Sequence, residues 1–170
     1  MSKTPSGHLL DWLRDAHAME EQAEKMLQAQ AARLENYPIL QEKIRQHLEE
    51  TRRQAILIRG CIERHGSSPS GLKDTGGKLM AMLQGLGGSL MADEVIKGSM
   101  ASYAFEHFEV SAYVALIATA EFCGDIQTRD VCAQILEEEK AMAKWLAQAL
   151  PETVGLFLTR DSTETGSAKR

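Results

Sequence analysis

The sequence predicts an all-α protein built as a bundle of four long helices, and three observations support this prediction. Ala, Leu, Met, Glu and Gln are abundant, whereas aromatic residues make up only 5% of the chain. No stretch alternates between apolar and polar residues as a half-buried strand would. Apolar residues instead recur at steps of three and four along four separate segments, which is the period of a helix with one buried side.

The first two helices are predicted over residues 7–35 and 38–65, and a tight turn joins them. The turn signal is Glu35-Asn36-Tyr37-Pro38, and His65-Gly66 closes the second helix. The stripe along the first helix is Leu9, Leu13, Ala16, Glu20, Ala23, Leu27, Ala31 and Leu34. The stripe along the second is His47, Glu50, Gln54, Leu57 and Cys61. Both stripes therefore bring a carboxylate to the predicted inner face.

A turn-rich segment between Ser67 and Gly88 separates the two halves of the chain. It is too long for a tight connection, and Lys78 to Leu86 within it can form a short extra helix. The third helix is predicted over residues 92–123 and the fourth over 126–149, ending before Pro151. Two antiparallel hairpins joined by one long crossover give the ferritin-like arrangement of a four-helix bundle.

The last part of the chain is predicted to add little to this bundle. Residues 152–159 are expected to form one further turn, and residues 161–170 are rich in Ser, Thr, Gly and charges, so a disordered tail is expected there. With 170 residues and 44% hydrophobic content, the chain suits a single domain over residues 1–160.

The third and fourth helices carry stripes of the same kind. The third is Val95, Ser99, Ser102, Glu106, Glu109, Tyr113, Leu116 and Ala120. The fourth is Cys132, Ile135, Glu139, Met142 and Leu146. Tyr113 lies one turn beyond Glu109 and is a candidate to hydrogen-bond a ligand carboxylate, or alternatively a plain core tyrosine.

The carboxylates of each hairpin are predicted to lie at one level. In an antiparallel hairpin, two residues lie side by side when their numbers average to the number at the turn. Glu20 and Glu50 average to 35, at the first turn signal, and Glu109 and Glu139 average to 124, where Gly124 ends a helix. The same arithmetic places Gln54 near His17, and Glu106 beside Met142.

Buried carboxylates at one level point to bound metal ions. Burial costs several kcal/mol per charge unless protons, cations or metal ions compensate, and Fe or Mn accept both carboxylate oxygens and imidazole. The predicted ligands of two such ions are Glu20, Glu50, Glu109 and Glu139. The alternative is that the stripes are turned by some tens of degrees and that these glutamates lie on solvated flanks, beside Glu21, Glu49 and Glu138.

Composition and cysteine spacing argue against several other classes of function. A net charge of −5 with scattered basic residues argues against a nucleic-acid partner. No apolar run is long enough to cross a bilayer and the N-terminus has no secretory h-region, so a cytoplasmic protein without membrane contact is expected. Cys61, Cys123 and Cys132 have neither CxxC nor zinc-finger spacing and are interpreted as small buried residues.

Several segments together resemble the bacterial YciE/YciF family. They are Asp11 to Glu20, His47 to Thr51, Phe105 to Glu109, and Glu138-Glu139-Lys140. The likeness extends over nearly the whole chain and is closest to the YciE branch. It implies a ferritin-like fold, a role in bacterial stress responses, a homodimer and a metal-binding protein without an assigned reaction.

The broader di-iron pattern has a Glu from each of two helices and Glu-x-x-His from each of the other two. Carried over by position, Glu20 and Glu109 match the single glutamates, while Glu50 and Glu139 match those of the two motifs. Residue 53 is arginine and residue 142 is methionine, so both motifs lack the histidine. The weaker candidates for the missing ligands are Glu106, His47 and Gln54.

Two functions follow as hypotheses. In the first, the protein holds two Fe or Mn ions and oxidises Fe(II) with oxygen or peroxide, as a ferroxidase-like oxidoreductase of the stress response. In the second, the bundle has lost metal turnover and acts as a structural or interaction protein in the stress response. The missing histidines favour the second hypothesis, whereas the carboxylates retained on all four helices favour the first.

Overall fold

The computed structural model describes residues 3–69 and 93–163, and the secondary structure in these ranges is helical, without a strand. The helices are α1 (Pro5–Ala31), α2 (Pro38–Arg64), α3 (Glu94–Cys123) and α4 (Ile126–Thr163). The predicted all-α bundle is confirmed, while the proposed short helix at Lys78 to Leu86 lies outside the described residues. In the described part of the chain, no helix is both long and apolar enough to cross a membrane.

The helix ends follow from local residue chemistry. At the start of α1, the Thr4 hydroxyl accepts a hydrogen bond from the backbone N–H of Gly7 at 3.2 Å. Gly124 ends α3 in a left-handed conformation with φ of 71°, which favours glycine over residues with a side chain. Asp125 then caps α4 by accepting a hydrogen bond from the backbone N–H of Thr128 at 3.0 Å.

The fourth helix differs from its prediction, because α4 continues through Pro151 to Thr163 instead of ending before the proline. An internal proline costs about 3 kcal/mol, since it removes one helical hydrogen bond. Burial beyond the proline offsets this cost: Thr153 and Phe157 are both buried, and Phe157 joins the core cluster near the α1–α2 turn. The helix also includes residues 161–163, which the sequence assigned to a disordered tail.

Neighbouring helices in the bundle run antiparallel. α1 packs against α2 and α3, and α4 packs against α3 and α2, so α1 and α4 lie on one diagonal. Ser102, early in α3, donates a hydrogen bond to Gln30 near the end of α1 at 2.9 Å. Arg64, at the end of α2, donates to Thr128 at the start of α4 at 3.0 Å.

The link between α2 and α3 joins opposite ends of the bundle. At one end, His65 Nε2, just after α2, lies 2.9 Å from Asp125 Oδ2, just before α4. At the other end, Arg33 Nε, just after α1, lies 2.5 Å from Glu94 Oε1 at the start of α3. These positions agree with the predicted crossover and with the ferritin-like topology.

Two apolar clusters make up the core. One includes Leu9, Leu13, Ile58, Ile62, Leu116 and Ile135. The other includes Leu27, Leu34, Leu40, Ile44, Leu146 and Phe157. On α4, Glu139 lies between Leu136, which belongs to the first cluster, and Met142, which belongs to the second. Along this helix, packed apolar side chains therefore adjoin the central polar region on both sides.

Candidate metal centre

The predicted inner faces of α1, α3 and α4 are confirmed, since every residue of their three stripes is buried. The apolar members belong to the two core clusters. The carboxylates among them are therefore carried into the interior by the packing of their neighbours, and Glu20, Glu109 and Glu139 are each at most 1% exposed.

The stripe predicted for α2 is turned from its expected position. His47 and Gln54 are buried, but the fully buried residue between them is Thr51, and the side chain of Glu50 is 22% exposed. His47, Gln54 and Cys61 of the predicted stripe are buried as expected, so α2 is turned only far enough to move Glu50 to the edge of the inner face. The physical reason is its apolar residues: Leu40, Ile44, Ile58 and Ile62 pack into the core and set the rotation of the whole helix.

Four buried side chains meet between the helices. One ligand-type atom from each of His47, Glu106, Glu109 and Glu139 lies within 4.8 Å of the others. Glu106 and Glu109 are three residues apart on α3 and therefore share one face, while α2 and α4 contribute the other two. Two candidates that the sequence ranked as weaker, His47 and Glu106, thus belong to the cluster, whereas Glu50 lies at its margin.

Glu20 and Tyr113 adjoin this cluster from α1 and α3. Tyr113 Oη donates a hydrogen bond to Glu20 Oε1, and both side chains are buried. Burial, and then the charge of Glu20, raise the pKa of Tyr113 well above its usual value, so the phenol stays protonated and remains a donor. Tyr113 therefore contacts a candidate ligand, but the ligand is Glu20 on the neighbouring helix.

Both ring nitrogens of His47 face carboxylates. Nδ1 lies 3.0 Å from Glu50 Oε2, and Nε2 lies 3.2 Å from Glu106 Oε2 and 3.5 Å from Glu139 Oε2. Burial by itself would lower the pKa of His47, but these surrounding carboxylates together raise it well above its ordinary value. The hydrogen bond with His47 in turn lowers the pKa of Glu50.

The buried carboxyl groups are strong proton acceptors. Burial, and then the nearby Glu139, raise the pKa values of Glu20 and Glu109 well above their usual range. Burial raises the pKa of Glu106 to about 7, against the opposing effect of His47. In the protein without metal, protons on these glutamates and on His47 therefore offset much of the buried charge.

Gln54 binds the cluster through its amide nitrogen. Nε2 donates to Glu139 Oε1 at 2.5 Å and to Glu138 Oε2 at 2.8 Å. Arg53 donates to the other oxygen of Glu138 at 2.8 Å. The amide nitrogen of Gln54 thus holds a carboxylate of α4, while its Oε1 is buried and accepts no hydrogen bond from a residue in the described ranges, so the role of Gln54 as a weaker ligand candidate stays a prediction.

The residues of the cluster fit a site for divalent metal ions. Glu20 Oε2 and Glu109 Oε1 are buried and accept no hydrogen bond from any residue in the described ranges. A buried oxygen without a donor is unfavourable unless a cation compensates. Several carboxylate oxygens with one imidazole nitrogen make a donor set that suits Fe²⁺ or Mn²⁺, so this cluster can bind metal.

Comparison with known proteins supports the family suggested by the sequence. Residues 4–159 match the family described as "Domain of unknown function (DUF892)". A protein from Xanthomonas campestris pv. campestris is 36% identical with a TM-score of 0.80, and the match covers 94% of this chain and 99% of that one. The E. coli stress protein YciF is 25% identical with a TM-score of 0.79, over 91% of this chain and 99% of that one.

A more distant likeness concerns the fold alone. A dodecameric thioferritin from Bacteroides fragilis, a bacterioferritin-related protein, is 17% identical with a TM-score of 0.69, over 96% of this chain and 94% of that one. Within the family, the likeness found here is to YciF, whereas the sequence resemblance favoured the YciE branch. The chain belongs to the DUF892 family, the same family as YciF, and has a ferritin-like fold.

Proposed function

We propose that this protein binds two divalent Fe or Mn ions between its four helices and oxidises Fe(II) with oxygen or peroxide in a bacterial stress response. The observation that carries the proposal is the buried cluster of His47, Glu106, Glu109 and Glu139, whose ligand-type atoms lie within 4.8 Å of one another. The relation to the stress protein YciF supports the physiological setting.

Charge balance supports two ions over one. The carboxylates of Glu20, Glu106, Glu109 and Glu139 are all buried. When ionised, these carboxylates match the charge of two divalent cations, and His47 can then be neutral. A single divalent ion would leave two buried negative charges to be neutralised by protons or by His47. The proposed ligands are thus these carboxylates with Nε2 of His47.

The surrounding residues would orient the ligands. When Nε2 has lost its proton, His47 stays protonated on Nδ1. This N–H donates a hydrogen bond to Glu50 Oε2, 3.0 Å away, which fixes the tautomer and the orientation of the ring. Tyr113 holds Glu20 Oε1 and leaves Oε2 for a metal ion. Gln54 similarly holds Glu139 Oε1.

These contacts indicate separate chemical roles for the protein and the metal ions. The bound ions would supply the electron chemistry of the oxidation, which no side chain of the cluster provides. The chain would hold the ligands in place, accept or release protons at the carboxyl groups and exclude bulk water. The apolar clusters at both ends of the polar region favour this exclusion.

Metal content tests the proposal directly. Protein purified without chelator is offered Fe(II) or Mn(II) in the absence of oxygen, and bound metal is measured by elemental analysis. We expect about two ions per chain in the wild type and loss of binding in Glu20→Ala and in Glu139→Ala. Glu137→Ala is the matched control, because Glu137 is exposed and pairs with Lys140. A wild-type protein that binds no metal would refute the proposal.

Glu50 gives a second prediction. Because Glu50 contacts His47 from outside the cluster, Glu50→Gln should lower metal affinity by roughly 10–100-fold without changing the number of ions bound. Metal titration of Glu50→Gln and of the exposed neighbour Glu49→Gln measures the difference. Loss of one ion from Glu50→Gln at saturating metal would show instead that Glu50 is a direct ligand, as the sequence alone predicted.

One observation favours a second candidate function. Both nitrogens of His47 face carboxylates, so a charged imidazole together with protonated glutamates can satisfy this interior without metal. The bundle would then be a structural or interaction protein in the stress response. A double variant, Glu20→Leu with Glu139→Leu, that folds with undiminished stability, together with a wild type that binds no metal, would support this function.

We further propose that the protein acts in the cytoplasm as a homodimer. The family resemblance supports the homodimer. Cell fractionation tests the first, and the mass of the purified protein in solution tests the second.

A further inference from the structure

A small pocket lies between α1 and α3 and leads toward the metal cluster. Its volume is about 10 Å³, which is close to the least that holds one water molecule. The lining includes Gln30, which is partly exposed, and Glu106, a proposed metal ligand that is only 2% exposed. The pocket therefore connects the seam between the two helices with one carboxylate of the cluster.

Small residues leave the space for this pocket. Gly98, Ser102 and Glu106 recur at steps of four and so share one face of α3, and Ala23 lines the pocket from α1. Among the described residues, the polar groups of the lining are those of Gln30, Ser102 and Glu106. The apolar part of the lining includes Met26 and Phe105. The polar groups thus form a short path through an apolar seam.

The amide of Gln30 has one hydrogen bond that the neighbouring side chains leave unmade. Its Oε1 accepts a hydrogen bond from Ser102 Oγ at 2.9 Å. Its Nε2 is buried and donates to no residue in the part of the chain that the structure describes. On α3 this nitrogen lies beside Gly98, where even an added Cβ would be 3.6 Å away. A buried donor without an acceptor is unfavourable, so a molecule in the pocket that accepts this hydrogen bond would be held there.

The polar groups of the pocket select among small molecules. Gln30 offers an N–H and Glu106 offers carboxylate oxygens, so the best occupant both accepts and donates hydrogen bonds. Dioxygen has no O–H to donate, and a divalent cation is repelled by the positive end of the N–H. Hydrogen peroxide, like water, is small and neutral, and it can accept from Gln30 while it donates to Glu106.

We propose that hydrogen peroxide reaches the metal cluster through this pocket, and that peroxide is therefore the preferred oxidant over dioxygen. This inference rests on the proposed function, because it assigns the oxidant of the same metal site. Gln30 binds the oxidant and is not a metal ligand. Ser102 positions Gln30 by donating to its Oε1.

The oxidation balances with one peroxide molecule for each pair of ions. Each of two Fe(II) ions loses one electron, and the two electrons break the O–O bond. Two protons from solvent complete the two oxygen atoms as two water molecules.

Oxidant preference tests the pocket. Oxidation of Fe(II) by peroxide or by dioxygen is followed by stopped-flow absorbance, on protein whose bound iron has first been measured. Gln30→Met keeps the length of the side chain but removes the N–H. The ratio of the peroxide rate constant to the dioxygen rate constant should therefore fall about tenfold, which is the effect of one neutral hydrogen bond. Gln28→Met, at an exposed position of the same helix, is the matched control.

A second variant and a structural measurement do not depend on the rate effect of the amide. Ala23→Val places two further methyl groups at a pocket of the size of one water molecule, so it should lower the same ratio at least about tenfold by exclusion. In a high-resolution crystal structure of the full chain, an ordered oxygen atom should lie roughly 2.7–3.2 Å from Gln30 Nε2. This atom should be absent in Gln30→Met.

A wild type that oxidises Fe(II) with neither oxidant would overturn the proposed oxidation and the oxidant site together. Oxidation with an unchanged ratio in Gln30→Met would overturn the oxidant site alone. A crystal structure without an ordered atom at Gln30 Nε2 would do the same, and a wild type that reacts faster with dioxygen would overturn the preference for peroxide.

Discussion

Raising the pH from about 5 to about 8 should lower the free energy of unfolding of the metal-free protein by on the order of 3 kcal/mol. The cause is the group of buried carboxyls that are better proton acceptors in the folded state than in the unfolded chain. The figure comes from Glu106 alone, whose pKa burial raises from 4.5 to about 7. Glu20 and Glu109 add to the effect in the same direction.

The sign follows from proton uptake. A carboxyl group with a raised folded-state pKa binds more protons when folded, so its contribution is fully present below the unfolded pKa and is lost as the pH rises through the folded one. His47, whose pKa is also raised, has the same sign. His17 has the opposite sign, because burial lowers its pKa and favours the folded state at higher pH. Glu50 and Asp125 have lowered pKa values in the folded state, so their contribution to stability changes mainly at lower pH, where these groups become protonated.

Denaturant unfolding of chelator-treated protein across this pH range measures the effect. Glu109→Gln should make the free energy of unfolding fall less steeply with pH, because the amide stays neutral at every pH. It should also make the metal-free protein more stable than wild type near pH 8. Glu137→Gln, an exposed substitution on α4, serves as the control. A wild-type stability that rises between about pH 5 and about pH 8 would contradict the protonated cluster described above.

Binding of metal should raise the free energy of unfolding by an amount similar to the loss expected at high pH. At a free metal concentration about 1,000 times the dissociation constant, binding to the folded state stabilises it by about 4 kcal/mol. For a chain of this size, that corresponds to a rise in Tm of roughly 10 °C. The gain should be larger near pH 8 than near pH 6, because the ions replace protons that the carboxylates release more easily at high pH.

Thermal unfolding with Fe(II) or Mn(II) in the absence of oxygen, and again after chelation, measures this rise. Glu139→Ala should show almost no metal-dependent shift, while Glu137→Ala should behave like the wild type. An equal shift in Glu139→Ala would place the stabilising metal elsewhere on the chain. No shift in any protein would leave the structural function as the better account of the bundle.

Much of the candidate site could be predicted from residue spacing. The steps of three and four along α1, α3 and α4 identified the buried positions of Glu20, Glu109 and Glu139, because residues at that spacing share one face of a helix. The position of Tyr113 beside a carboxylate also followed from its place one turn beyond Glu109, although its partner proved to be Glu20. The ligand roles of these residues stay predictions until metal is measured.

Residue spacing did not predict which face of α2 points into the site. Its stripe contains polar residues on two adjacent faces, so spacing alone allowed either Glu50 or the face of His47 and Thr51 to point inward. The apolar residues Ile44 and Ile58 decided between these faces, and greater weight on them would have ranked His47 above Glu50. Glu50 instead became the hydrogen-bond partner of His47.

Periodicity and turn residues by themselves determined the all-α class and the antiparallel pairing within each hairpin, because these depend on contacts within one helix or across one short turn. Tertiary structure alone decided the rotation of α2 and the continuation of α4 through Pro151. Both are outcomes of packing between distant segments, in which burial of Ile58 or Phe157 outweighs the local preference. The same packing assembles His47 with Glu106 and Glu139, residues that no local pattern relates.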